Sequence, residues 1–241
     1  MGMANIYGHS SRYLNANKTI SKYGAFAYLI YFTLIIGIII WRLSIVSFSL
    51  PAVFAITLVF GPLLLVTDSL MRKEESLMYK FRSGIVGEKL IGDELKKLDT
   101  NYTVFQDIHV PGKKENIDFV VVGPTGIHAI EVKNHHGTVG FNGDELTLKQ
   151  KSFEKDFLRQ TMREATSLHD YLESSGIPSA FVTPIIVFSH RFASVRFGIQ
   201  PIKNVRVIQY RWLLKMITSD PRSYPDARVI DVLKATYTKT I

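Results

Sequence analysis

Cysteine is absent from all 241 residues. That excludes a disulfide scaffold, a cysteine-bound zinc or iron–sulfur centre and a thiol nucleophile. Other signatures are missing as well. No His-Glu-x-x-His helix offers a zinc site, although His128, His135 and His136 lie close in sequence. Gly123-Pro124-Thr125-Gly126 is not followed by the Lys and Ser/Thr of a phosphate loop. Ser189-His190 has no acid to orient it, which argues against serine-hydrolase chemistry. Internal repeats and low-complexity tracts are lacking. Anions are the scarcer charge: 21 Asp and Glu against 29 Lys and Arg give a net charge of +8. A basic chain suits contact with nucleic acid or anionic lipid and leaves the fold open.

Hydrophobic residues make up 46% of the chain and mean hydropathy is +0.11, high for a sequence that is also 21% charged. The apolar excess is concentrated early. Residues 23–41 and 43–67 are two charge-free runs separated by Arg42. A bilayer core takes about 20 apolar residues at about 1.5 Å each, so both runs are long enough to span it. The expectation is a polar leader over residues 1–22, a transmembrane helical hairpin over 23–67, a charged linker helix over 68–83 and a soluble domain over 84–241. A cleavable signal peptide fits poorly, because Ile38-Ile39-Ile40-Trp41-Arg42 is too bulky for a cleavage site. Arg12, Lys18 and Lys22 precede the first run, and Arg72, Lys73, Lys80 and Arg82 follow the second. The positive-inside rule then places both termini and the soluble domain in the cytoplasm.

The soluble part reads as one α/β domain. A helix over residues 84–98 carries Ile91, Leu95 and Leu98 at helical spacing. Strands are expected at 102–109, 117–122 and 127–132, then a hairpin at 138–141 and 146–149 around Asn142-Gly143. A long helix over 153–174 follows, ended by Gly176 and Pro178, then strands at 185–188 and 205–208 and two closing helices. This order predicts a mixed sheet covered by helices.

Three segments carry chemistry. Asp118 interrupts an apolar strand, and Glu131-Val132-Lys133 ends the next one. Glu131 and Lys133 share a face, because successive strand residues point to opposite sides. A tight turn at Gly123 to Gly126 makes the two strands an antiparallel hairpin whose facing residues sum to about 249, which sets Asp118 opposite Glu131. Converging carboxylates repel and raise one another's pKa, and a hard divalent cation relieves that. Glu88 lies on the apolar stripe of Ile91, Leu95 and Leu98, where an unpaired Glu is rare. It is the expected third carboxylate. Lys155, Arg159 and Arg163 recur four residues apart on the long helix and suit a nucleic-acid backbone. A solvated face balanced by Glu154, Asp156 and Glu164 suits the same pattern.

Asp118, followed by Glu131-Val132-Lys133, resembles the PD-(D/E)XK nuclease signature and, more specifically, the NERD (nuclease-related) domain. The pieces that match are Gly84-Ile85-Val86-Gly87-Glu88, Ile117-Asp118-Phe119-Val120-Val121, residues 126–133, Gly137, Gln160 and Val187-Phe188-Ser189, over residues 83–217. The Pro of the superfamily name is Ile117 here. The resemblance implies a restriction-endonuclease-like mixed sheet flanked by helices, and it leaves out the two transmembrane helices expected ahead of it from hydropathy. It implies Asp118 and Glu131 as metal ligands, Lys133 as catalytic lysine, and Glu88 and Gln160 as accessory residues; the carboxylate argument adds Glu88 to the metal set and favours Mg²⁺ or Mn²⁺. The expected function is a membrane-anchored, metal-dependent nuclease acting on DNA at the cytoplasmic face, with RNA as the second candidate partner. The alternative is a non-catalytic membrane-anchored scaffold on the same fold that binds nucleic acid or protein.

Overall fold

The computed structural model describes residues 3–8, 30–31, 33–35, 37–38, 41–42, 50–113, 116–178, 180–197, 200–219 and 227–238. The chain divides into two units, residues 12–82 and residues 1–11 together with 83–241.

In the first of these, α1 (Leu50–Leu95) begins, with Pro62 inside it. Leu58, Leu65, Leu77, Tyr79 and Phe81 are exposed along it. The separate helices expected over 68–83 and 84–98 are instead stretches of this one helix, because no Gly or Pro pair interrupts the sequence between them. The hairpin is not supported: among the described residues no helix is long and apolar enough to cross a membrane. Most of the run 23–41 lies outside the described residues, as do residues 43–49.

The larger unit is built on a six-stranded mixed sheet in the order β1-β2-β3-β4-β8-β10. Its strands are β1 (Asn5–Tyr7), β2 (Thr103–His109), β3 (Asn116–Gly123), β4 (Gly126–Lys133), β8 (Val182–Phe188) and β10 (Arg206–Gln209). β2, β3 and β4 are antiparallel neighbours, whereas β4, β8 and β10 run parallel. A second sheet, ordered β7-β6-β5-β9, holds β5 (Gly137–Phe141), β6 (Leu146–Leu148), β7 (Lys151–Ser152) and β9 (Ala193–Val195). The predicted hairpin at Asn142-Gly143 is β5–β6, and Gly143 supplies the positive φ of 100° at its turn.

Alternation along the strands sorts the core into two layers. On one face Phe119, Val121, Ile130 and Val132 pack with Ile91 and Leu95 of α1 and with Leu213 and Ile217 of α3 (Leu213–Thr218). On the other, Val120, Val122 and Ala129 pack with Ala165, Leu168 and Leu172 of α2 (Phe157–Ser174) and with Val229 and Leu233 of α4 (Arg228–Thr238). α2 starts later than expected because Asp156 caps it, its carboxylate accepting from the Arg159 backbone N–H. Lys155 therefore precedes the helix, and the predicted three-cation helical row contracts to Arg159 and Arg163.

The leader was expected to be a polar tail. Its residues Asn5–Tyr7 instead form β1, parallel to β2 at the sheet edge. Ala4 N–H donates to the Leu98 carbonyl at 3.0 Å, and the Tyr7 ring stacks on Phe105 with centroids 5.5 Å apart.

Candidate active site

The turn between β3 and β4 sets the register. Gly123 faces Gly126 and Phe119 faces Ile130, so the paired residues sum to 249. Asp118 and Glu131 come next along this register. Here the ladder opens: the Asp118 carboxylate, not a β3 carbonyl, accepts the Val132 N–H at 2.8 Å. The ladder to β2 is broken at the same level. Gln106 faces Phe119 and Ile108 faces Ile117, while Asp107 between them has φ 58° and accepts from the Asn116 side chain. A non-glycine residue in that region costs free energy and is commonest around functional sites.

Glu131 is 1% exposed and Asp118 4%. Glu131 and Lys133 point toward α2, since Ile130 and Val132 take the other face. Lys133 Nζ lies 2.5 Å from Glu131 Oε1 and 4.1 Å from the centre of the Phe157 ring. One carboxylate and one π face thus hold a single ammonium. Gln160, one turn into α2, donates through its amide to Glu131 Oε1 at 3.0 Å and to Glu164 Oε1 at 2.8 Å.

Glu164 is the residue that sequence reasoning missed. The sequence offers it only as one acid of a solvated face, the alternative to a nucleic-acid-binding face, yet it is 3% exposed and faces inward. Burial pushes its carboxyl up to about 9, helped by the Glu131 and Asp118 carboxylates and opposed by Gln160 and Lys133. Glu164 Oε2 and Glu131 Oε2 are buried without a hydrogen-bond partner. A signal was present: Glu164 stands four residues after Gln160 and four before Leu168, on the stripe that covers the sheet.

The structure therefore gathers Asp118, Glu131, Lys133, Gln160 and Glu164. Glu88 is also buried, at 5% exposure, one turn ahead of Ile91 on α1. Among the described residues no group of three or more His, Asp or Glu is arranged to hold a metal ion. Gly87 lets α1 approach closely, since a Cβ there would meet Ser189 Oγ at 2.6 Å and Asn134 Cβ at 2.9 Å.

A cavity of about 730 Å³ adjoins the cluster, and Glu164 and Ile117 are among its lining residues. Lys113, Arg159, Arg163 and Lys203 line it too, against Asp156 and Asp170. Both arginines of the predicted basic face therefore look onto the cavity that Glu164 lines.

His135 packs on Phe153 and Phe157 with centroids 5.2 and 6.0 Å away. His136 is exposed beside Lys149 and His190. The chain as a whole matches no curated protein and no solved structure. Residues 83–189, which run from the last turns of α1 to the end of β8 and contain every member of the cluster, match the family described as NERD, nuclease-related domain.

Proposed function

We propose that the chain hydrolyses phosphodiester bonds of DNA in a Mg²⁺-dependent reaction at the cytoplasmic face of a membrane. One observation carries the catalytic part. A buried cluster of carboxylates, a lysine and a glutamine adjoins a cavity lined by four cations.

The cluster fits a hard cation. Glu131 leaves a buried oxygen without a hydrogen bond, and that costs free energy until a cation or donor meets it. Mg²⁺ needs only one or two protein carboxylates, with waters and phosphate oxygens completing its shell. Asp118 and Glu131 are the residues that would hold it, and when bound it supplies Lewis acidity and lowers the pKa of water.

The chain's own residues do the rest. Arg159, Arg163 and Lys113 attract and align the phosphate backbone, while the Lys203 ammonium donates to the Asp144 carboxylate at 2.7 Å. Gln160 fixes the Glu131 carboxylate by donating to it. Lys133 orients the attacking water and offsets charge that develops on the phosphorane. Glu164, its carboxyl pushed to about 9, keeps its proton at neutral pH and so adds no negative charge against the phosphate.

Purified full-length chain should cleave plasmid or linear DNA with Mg²⁺ and stop when chelator is added. The second reading is a scaffold on the same fold that binds nucleic acid or protein without cutting. Binding of DNA and RNA with no cleavage of either in Mg²⁺ or Mn²⁺ would decide for it.

Membrane attachment draws on sequence: residues 43–67 carry no charge, and the basic residues flank the apolar region on both sides. Reporter fusions at either terminus are expected to read cytoplasmic. A C-terminus outside the cytoplasm would defeat this placement.

A further inference from the structure

Parallel strands deliver their following loops to one end of a sheet, where ligands of α/β proteins collect. β4 and β8 are parallel neighbours, and Lys133 faces Phe188 at their ends. The two loops that follow are stapled together. Ser189 N–H donates to the Lys133 carbonyl at 3.0 Å, and Gly137 N–H donates to the Phe192 carbonyl at 3.1 Å.

These loops carry a row of rings. His136 and His190 lie 5.6 Å apart between centroids, and His190 and Phe192 lie 5.7 Å apart. His190 is held in place, because its Nδ1 accepts the Phe192 N–H at 3.2 Å. Phe192 is 65% exposed, His136 is exposed and His190 is half-buried, so the row is open to a ligand at both ends. Cations alternate with the rings. Arg191 lies 4.5 Å from the Phe192 centroid, and Lys149 Nζ is 3.2 Å from His136 Nε2.

Exposed rings interleaved with cations are what single-stranded nucleic acid requires: each base offers a π face, and each phosphate a charge. Duplex DNA cannot use such rings, because its bases already stack on one another. The nearest of these loops begins directly after Lys133.

We infer that His136, His190 and Phe192 form a base-stacking platform for nucleotides adjoining the scissile phosphate, so that the strand handled is single: an end, a flap or a gap. This rests on the nuclease reading for its link to Lys133, but the platform is testable by binding alone.

The test is fluorescence anisotropy in chelator, with full-length chain, a labelled twelve-nucleotide single strand and a hairpin duplex of the same sequence. Wild type should bind the single strand more tightly than the duplex. Phe192→Ala and Phe192→Leu should both weaken single-strand binding, by roughly five- to a hundredfold for one stacked base, and leave duplex binding within about twofold. Leu keeps apolar area without a ring, so an affinity it preserves would overturn the stacking claim. So would equal affinity of wild type for the two probes, or no binding of either. A separate Mg²⁺ cleavage assay keeps the two readings apart. Ring-dependent binding without cleavage sinks the nuclease reading and retains the platform, whereas cleavage with Phe192-independent binding does the reverse.

Discussion

Lys133→Ala is expected to lower DNA cleavage by at least about a hundred- to a thousandfold, the cost of removing one preorganised charge-stabilising group. DNA affinity should stay near wild type. The reason is positional. Lys133 is tucked against Glu131 and the Phe157 ring, its side chain only 13% exposed. The cations that line the cavity are other residues, Lys113, Arg159, Arg163 and Lys203. A group that acts on the transition state alone changes kcat without changing ground-state binding. Arg159→Ala should show the opposite split, with weaker binding and a shallower salt dependence. Single-turnover cleavage measured beside equilibrium binding separates the two. Wild-type cleavage by the Lys133→Ala chain would remove the centre of the proposed mechanism.

Glu164→Gln is expected to stabilise the metal-free protein near neutral pH. The sign follows from proton counting. In the unfolded chain this carboxyl titrates near its ordinary value of 4.5, and in the folded protein near 9. Between those values the folded state holds a proton that the unfolded state has released, so its contribution is full below about pH 4.5 and is lost as pH rises toward 9. At pH 7 the loss is on the order of 3 kcal/mol. Gln keeps the shape and has no proton to lose. The variant should melt several degrees above wild type at pH 7 to 8 and together with it below pH 4.5. Excess Mg²⁺ should narrow the gap, since a cation held by Asp118 and Glu131 cancels the charge that repels Glu164. A Glu164→Gln protein that melts below wild type at pH 8 would mean that Glu164 is ionised and structurally paired.

The contrast between Glu131 and Glu164 explains what could be read from sequence. The Glu131 position follows from arithmetic. A two-residue turn fixes the index sum, the sum fixes the partner, and strand alternation fixes the face. Nothing tertiary is needed. Glu164 sits on a helix, where a charged residue is ordinarily solvated, and its burial depends on which helix face the sheet covers. The stripe of Ala165, Leu168 and Leu172 carried that information, and the same test that singled out Glu88 would have singled out Glu164. Applied to Glu88 the test was right about burial. The strand at residues 5–7 was illegible for a different reason. Three residues give no periodicity, and the pairing that orders them comes from β2, almost a hundred positions later.

That short strand constrains the path of everything between it and α1. Residues 5–7 and residues from 83 onward belong to one sheet-centred unit, so they occupy one side of any bilayer the protein meets. If residues 8–82 enter a membrane, they must return to the side they left, which permits an even number of crossings and forbids one. The parity is imposed by backbone pairing and is independent of the Lys and Arg count at the flanks. It also means that a fragment starting at residue 72 would lose β1 and uncover the edge of β2, a template for pairing between molecules. Work with the isolated sheet-centred unit therefore needs the first residues rejoined to it, as a separate peptide or through a linker that replaces residues 12–82.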